Sequence, residues 1–116
     1  LRDALTSAAV LVRDTAGPRV VLAAGVHEAL EPGTRRALLR YLATLVRGGG
    51  LLLMDHAVDV SGWEPGPRAG GRRFASTTDE VVAGLADQGL VARAQPAPDR
   101  GDGVRRIRIS AEEQAS

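Results

Sequence analysis

Two apolar runs, Val20-Val21-Leu22-Ala23-Ala24-Gly25 and Gly48-Gly49-Gly50-Leu51-Leu52-Leu53-Met54-Asp55, decide the fold. Each is short and free of polar alternation. This is the pattern of a parallel strand covered on both faces. Between them, Pro32 suits the first turn of a helix, where its missing N–H costs nothing. Leu38, Leu39, Leu42, Leu45 and Val46 then recur at spacings of three and four, with Arg35, Arg36, Arg40 and Arg47 pointing elsewhere. Glycines 48–50 supply the left-handed stop. Strand, helix and strand make one βαβ unit, in which the two strands run parallel through a right-handed crossover.

The remainder arranges itself around that unit. Residues 3–14 carry Leu5, Ala8, Ala9 and Val12 at helical spacing and read as a helix, with a short strand over 8–12 as the other option. Residues 26–31 form a loop or a single helical turn. Asp55 and His56 close the second strand, and residues 59–73, dense in Gly and Pro and holding Trp63, form a long loop. A helix follows over 76–88, capped by Thr77 or Thr78, with Val81, Val82, Leu85 and Ala86 as its apolar face. A strand over 90–94 and a half-exposed strand over 104–110 are joined by a short polar turn and so pair as an antiparallel hairpin. On the last strand Ile107 and Ile109 face one way, Arg106 and Arg108 the other. Residues 111–116 are expected to fray.

The chain of 116 residues is enough for one domain, taken as 1–116, with a modest core. Its net charge of +1 supplies no field toward nucleic acid or an anionic membrane. All fifteen basic residues are Arg, which reads as a solvated basic surface. The absence of Cys excludes disulfides, thiolate metal sites and cysteine nucleophiles, and fits a cytoplasmic protein. No run approaches the ~20 apolar residues of a membrane span, and Asp3, Arg13 and Asp14 interrupt any signal sequence. Because the sequence opens on Leu1, an N-terminal portion is expected to be missing or removed.

The order α-β-α-β-α-β-β resembles the C-terminal half of a class I S-adenosylmethionine-dependent methyltransferase. The fold implied is α/β and Rossmann-like: a partial sheet with two parallel strands, a crossover helix, a C-terminal antiparallel hairpin and helices on the faces. Residues 20–30 are similar to that family's fourth strand and the loop after it, residues 36–55 to its next helix and fifth strand, and residues 73–91 to the following helix and sixth strand. The family's glycine-rich loop after the first strand, and its acidic residue after the second, have no counterpart here. The resemblance therefore implies S-adenosylmethionine as cofactor but weak or absent binding by this chain alone. It also implies a small-molecule acceptor, with a partner chain or a missing N-terminal segment completing the site, and an oligomer as one outcome. A non-catalytic methyltransferase-like subunit, pairing a partner along the unpaired edge of residues 20–24, is the alternative. A flavodoxin-like or glutamine-amidotransferase-like domain is a weaker one, since it lacks the Cys nucleophile.

Candidate site residues lie after the parallel strands, where open α/β sheets bind ligands. His27 followed by Glu28 is similar to the family's His-acid pair that removes the acceptor's hydroxyl proton, a task suited to a neutral imidazole; otherwise His27 is an exposed loop histidine. Gly25 and Val26 would line the cofactor's edge. Asp55 and His56 could orient the acceptor, and Trp63 could cover its pocket or pack the loop onto the core. His27, His56 and Asp55 are metal-binding types, but no ligand spacing supports a site, so no metal is expected.

Overall fold

The computed structural model describes residues 9–13, 19–65 and 71–114, the first of these stretches through its backbone. In chain order these are β1 (Ala9–Arg13), β2 (Val20–Ala24), a 3-10 turn (His27–Ala29), α1 (Pro32–Val46), β3 (Leu51–Asp59), α2 (Thr78–Ala86), β4 (Leu90–Pro96) and β5 (Arg105–Glu113). The five strands form one sheet in the order β1-β2-β3-β5-β4. β2 and β3 are parallel, with Val21 opposite Leu52 and Ala23 opposite Met54. β3 with β5, and β4 with β5, are antiparallel. The βαβ unit and the terminal hairpin expected from the sequence are both present.

Both helices pack on one face of the sheet. Val21, Ala23, Leu52, Met54, Ile109 and Ala111 point to that face and share one core with Leu38, Leu42, Val46, Val81 and Leu85. α1 lies over β2 and β3, α2 over β3 and β4, and the helices touch each other. α1 ends where Gly48 (φ 87°) and Gly49 (φ 100°) turn the chain left-handed. Gly50 then returns it to β3 so tightly that a Cβ there would sit 2.8 Å from the Arg19 carbonyl oxygen and 2.8 Å from Val46 Cα. Thr77 caps α2, its hydroxyl accepting the Glu80 N–H at 3.1 Å.

Several sequence expectations change. Residues 9–13 form a strand, the second of the two options the sequence left open there, and not a helix; β1 pairs antiparallel with β2 from Ala9↔Ala24 to Arg13↔Val20. The rest of the helix proposed over 3–14 lies outside the described residues. The edge of β2 is therefore paired, and not open to a partner strand. Nor are the parallel strands covered on both faces. On the side away from the helices Leu22 is 38% exposed, and Leu51 and Leu53 are only partly covered. β3 runs to Asp59, so Asp55 and His56 lie inside it, and the loop begins at residue 60. β5 holds residues 111–113, assigned to the tail, in the sheet, and residues 115–116 lie outside the described residues. Two of the arginines assigned to the surface, Arg35 and Arg106, are buried. Among the described residues no helix is long and apolar enough to cross a membrane.

The two faces should respond differently to substitution. Leu42→Ala removes a fully buried side chain between α1 and the sheet and is expected to cost about 2–5 kcal/mol in urea denaturation. Leu22→Thr, on the uncovered face, should change stability by less than about 0.5 kcal/mol. A large loss at Leu22 would mean that this face is covered.

Candidate functional site

Chain direction places the site. Because Ala23 is level with Met54, Asp55 stands beside the end of β2, and β3 continues past it. Gly25 (φ 73°) turns the chain out of β2 and into the 3-10 turn. The Asp55 carboxylate fastens that turn: Oδ1 accepts the Gly25 N–H at 2.9 Å, and Oδ2 pairs with the Arg100 guanidinium from the β4–β5 loop. The Gly25 N–H is thus already committed, and the Val26 side chain is fully buried.

The turn sends consecutive side chains in different directions. Glu28, 1% exposed, meets Arg106 of β5. Arg106 Nε donates to both carboxylate oxygens at 3.0 and 2.9 Å, and Nη2 donates to Oε1 at 2.6 Å. The same guanidinium grips Asp102 through Nη1 at 3.0 Å and Nη2 at 2.6 Å. Hydrogen bonding from Arg106 holds the Asp102 pKa down to about 2. Burial works against the Arg106 charge, but its bonds to Asp102 and Glu28 outweigh that and hold its pKa above the usual value. Arg73 approaches Glu28 at 3.8 Å and lies over the Trp63 ring at 5.3 Å. Trp63 is partly buried and packs against the stem of its own loop, through Arg73.

His27, 3% exposed, turns toward the helical layer and not to solvent. Its ring meets that of His56 edge-on at 6.1 Å. His56, on the helix-facing side of β3, is held at both nitrogens: Nδ1 with the Ser76 hydroxyl at 3.1 Å and Nε2 with the Thr78 hydroxyl at 3.2 Å. Nδ1 of His27 has no hydrogen-bond partner among the described residues. Burial, then Arg35, then His56 lower the His27 pKa to about 3; burial also lowers that of His56. Both rings are therefore neutral at pH 7.

Arg35, in the first turns of α1, is the framework cation of this side. It donates from Nε to the His27 carbonyl at 3.2 Å, from Nη2 to that of Phe74 at 2.8 Å and from Nη1 to that of Ala75 at 3.5 Å. It thereby staples the 3-10 turn to the segment entering α2. A cleft of about 390 Å³ opens here between the two helices, lined by His27, Arg35, Ser76, Leu39, Glu80 and Val81 among others.

The structure thus brings His27 and His56 together, with Asp55 on the opposite face of β3. It separates His27 from the Glu28 carboxylate, which Arg106 holds. No group of three metal-ligating side chains converges among the described residues. Sequence reasoning missed Arg35, Ser76, Thr78, Arg100, Asp102 and Arg106. The only sequence signal was the Asp102–Arg106 spacing of four, which is weak outside a helix.

No protein-family model matches the chain, and no curated protein sequence does. Solved structures do. A 1,6-didemethyltoxoflavin-N1-methyltransferase of Burkholderia thailandensis, with its acceptor and S-adenosylhomocysteine bound, matches at TM-score 0.58 and 17% identity over 88% of this chain and 48% of that one. Magnesium protoporphyrin IX methyltransferase of Synechocystis matches at TM-score 0.62 and 17% identity, over 82% and 44%. An O-methyltransferase from neocarzinostatin biosynthesis matches at TM-score 0.54 and 19% identity, over 88% and 31%. This chain has the fold of the C-terminal half of a class I S-adenosylmethionine-dependent methyltransferase. It spans less than half the length of these three proteins.

Two consequences can be measured. Arg106→Ala leaves the Glu28 carboxylate buried without its partner and should cost about 3–5 kcal/mol, most of it recovered by pairing Arg106→Met with Glu28→Leu. The second concerns acid. The unfolded chain takes up a proton at His27 near pH 6.5, while the folded chain resists until about pH 3. Stability should therefore fall as pH drops through that window, by up to about 1.4 kcal/mol per pH unit for each such histidine. Urea midpoints between pH 7 and pH 4 should fall less steeply in His27→Gln; an unchanged slope would show that His27 is not held neutral. The Asp102 contribution is lost only lower, from about pH 3.8 toward pH 2.

Proposed function

We propose that this chain forms the acceptor side of an S-adenosylmethionine-dependent methyltransferase that methylates a hydroxyl, or a similar nucleophile, of a small molecule. The single observation that carries the reading is the position of His27. It follows the first of two parallel strands, at the ligand-binding edge of the sheet, in a fold shared with three methyltransferases.

The described residues do not by themselves make a cofactor site. The Gly25 N–H belongs to Asp55 and the Val26 side chain is buried, so the two residues expected to line the cofactor contribute at most a wall. The glycine-rich loop is thus assigned to another segment or another chain. When bound, the cofactor supplies an electrophilic methyl group. This chain's part is to position the acceptor and take its proton. A neutral imidazole is the competent form for that step. A pKa near 3 makes His27 a weak base toward a free alcohol. Proton loss coupled to bond formation is different, because an oxygen that is gaining a methyl group becomes strongly acidic. Glu28 acts on His27 through the backbone turn, since its carboxylate is committed to Arg106.

The non-catalytic alternative is supported by the uncovered apolar face bearing Leu22 and Leu53, which fits a subunit that packs against a partner. Copurification with a stoichiometric partner that lacks methyl-transfer activity would favour it.

Calorimetry of the chain alone with S-adenosylhomocysteine should show no binding; micromolar affinity would overturn the assignment of the cofactor loop elsewhere. In the assembled enzyme, assayed with labelled S-adenosylmethionine and a panel of phenols, His27→Ala should lower kcat by about 10²–10⁴. An unaltered kcat would remove His27 as the base.

A further inference from the structure

We propose that the cleft between α1 and α2 binds a small organic monocarboxylate, its carboxylate paired with the Arg35 guanidinium and its apolar body lying along Pro32, Leu39 and Val81. The volume of about 390 Å³ suits a single ring-sized molecule. His27 also lines this cleft, so the ligand would lie beside the proposed base, but its binding is read directly and requires no methyl transfer.

Arg35 is only 8% exposed, yet among the described residues it forms no ion pair with a carboxylate. Its partners are three carbonyl oxygens. A guanidinium carries five N–H groups, so two remain beyond these three bonds. Burial makes the charge costly, and it lowers the Arg35 pKa against the opposing pull of Glu80. Neutral His27 and His56 add no positive charge nearby. A carboxylate presented to the two remaining donors gains a charge-assisted pair in a poorly hydrated setting, where such pairs are strong.

The walls select what carries that carboxylate. Leu39 and Val81 are buried and apolar, and Pro32 adds an apolar ring. The rim selects the charge. Glu80 stands on the Arg35 side, and Asp87, the residue that caps the C-terminal end of α2, lies about 10 Å further along at the far end. Two acidic groups on the rim repel a dianion such as phosphate more than a monoanion, while the apolar walls reward a ring over a bare ion.

The test uses para-hydroxybenzoate on the full chain, followed by NMR titration, with para-hydroxybenzamide and inorganic phosphate as comparisons. The expected result is saturable binding of the benzoate, at least about tenfold tighter than either comparison. Glu80→Gln, an exposed change that leaves the core intact, should tighten benzoate binding severalfold by removing the opposing charge. Ala83→Trp, also exposed and on the cleft wall, should abolish it. The proposal is overturned by an amide that binds as well as the acid, by phosphate that binds more tightly, or by no saturation up to about 10 mM. It is equally overturned if Glu80→Gln weakens binding or if Ala83→Trp leaves it unchanged.

Discussion

The contact on which the rest of this structure turns is the buried pair of Glu28 and Arg106. It joins the short turn after the first parallel strand to the last strand of the sheet, across 78 residues of chain. Around it gather Asp102 from the hairpin loop, Arg73 at 3.8 Å, and the Phe74 N–H, which donates to the Glu28 carbonyl at 2.9 Å. Neither ion could sit there alone, because desolvating a single charge costs several kcal/mol. Each fixes the other, and together they fix the turn that carries His27.

This closure divides the edge of the sheet into two chemistries. On one side carboxylates and guanidiniums are matched: Glu28 and Asp102 with Arg106, Asp55 with Arg100. On the helical side two uncharged imidazoles, two hydroxyls and Arg35 held by carbonyls lie next to the turn, and acidic Glu80 stands at the rim of the cleft. The backbone makes this division. Gly25 reverses the chain, and the one-residue step from His27 to Glu28 then suffices to send the imidazole and the carboxylate to opposite sides.

The parts of the fold that showed in the sequence were those governed by local rules. The leucine stripe, the glycine stop and the unbroken apolar runs each reflect one element's own periodicity, and α1, β2 and β3 follow them. Residues 9–13 fit helical spacing but form a strand, because the pairing offered by β2 outweighs a weak propensity. The uncovered face was hidden for a different reason. An apolar run records that a side chain is greasy, not what covers it. In the site, His27 and His56 could be singled out as chemically distinctive types. Arg35 and Arg106 could not, since their burial depends on carbonyls and carboxylates up to 78 positions away. Fifteen arginines look alike on paper.

The strand at residues 9–13 also has a kinetic meaning. With Ala9 to Arg13 laid head-to-tail along Val20 to Ala24, the outward amide groups of that segment are spoken for. A polypeptide that would pair with Val20 to Ala24 itself must first peel the resident ribbon away, breaking its ladder before making its own. Assembly by that route would be an exchange with an activation barrier, slow and sensitive to temperature. Docking onto the bare leucines of the broad side would face no such barrier.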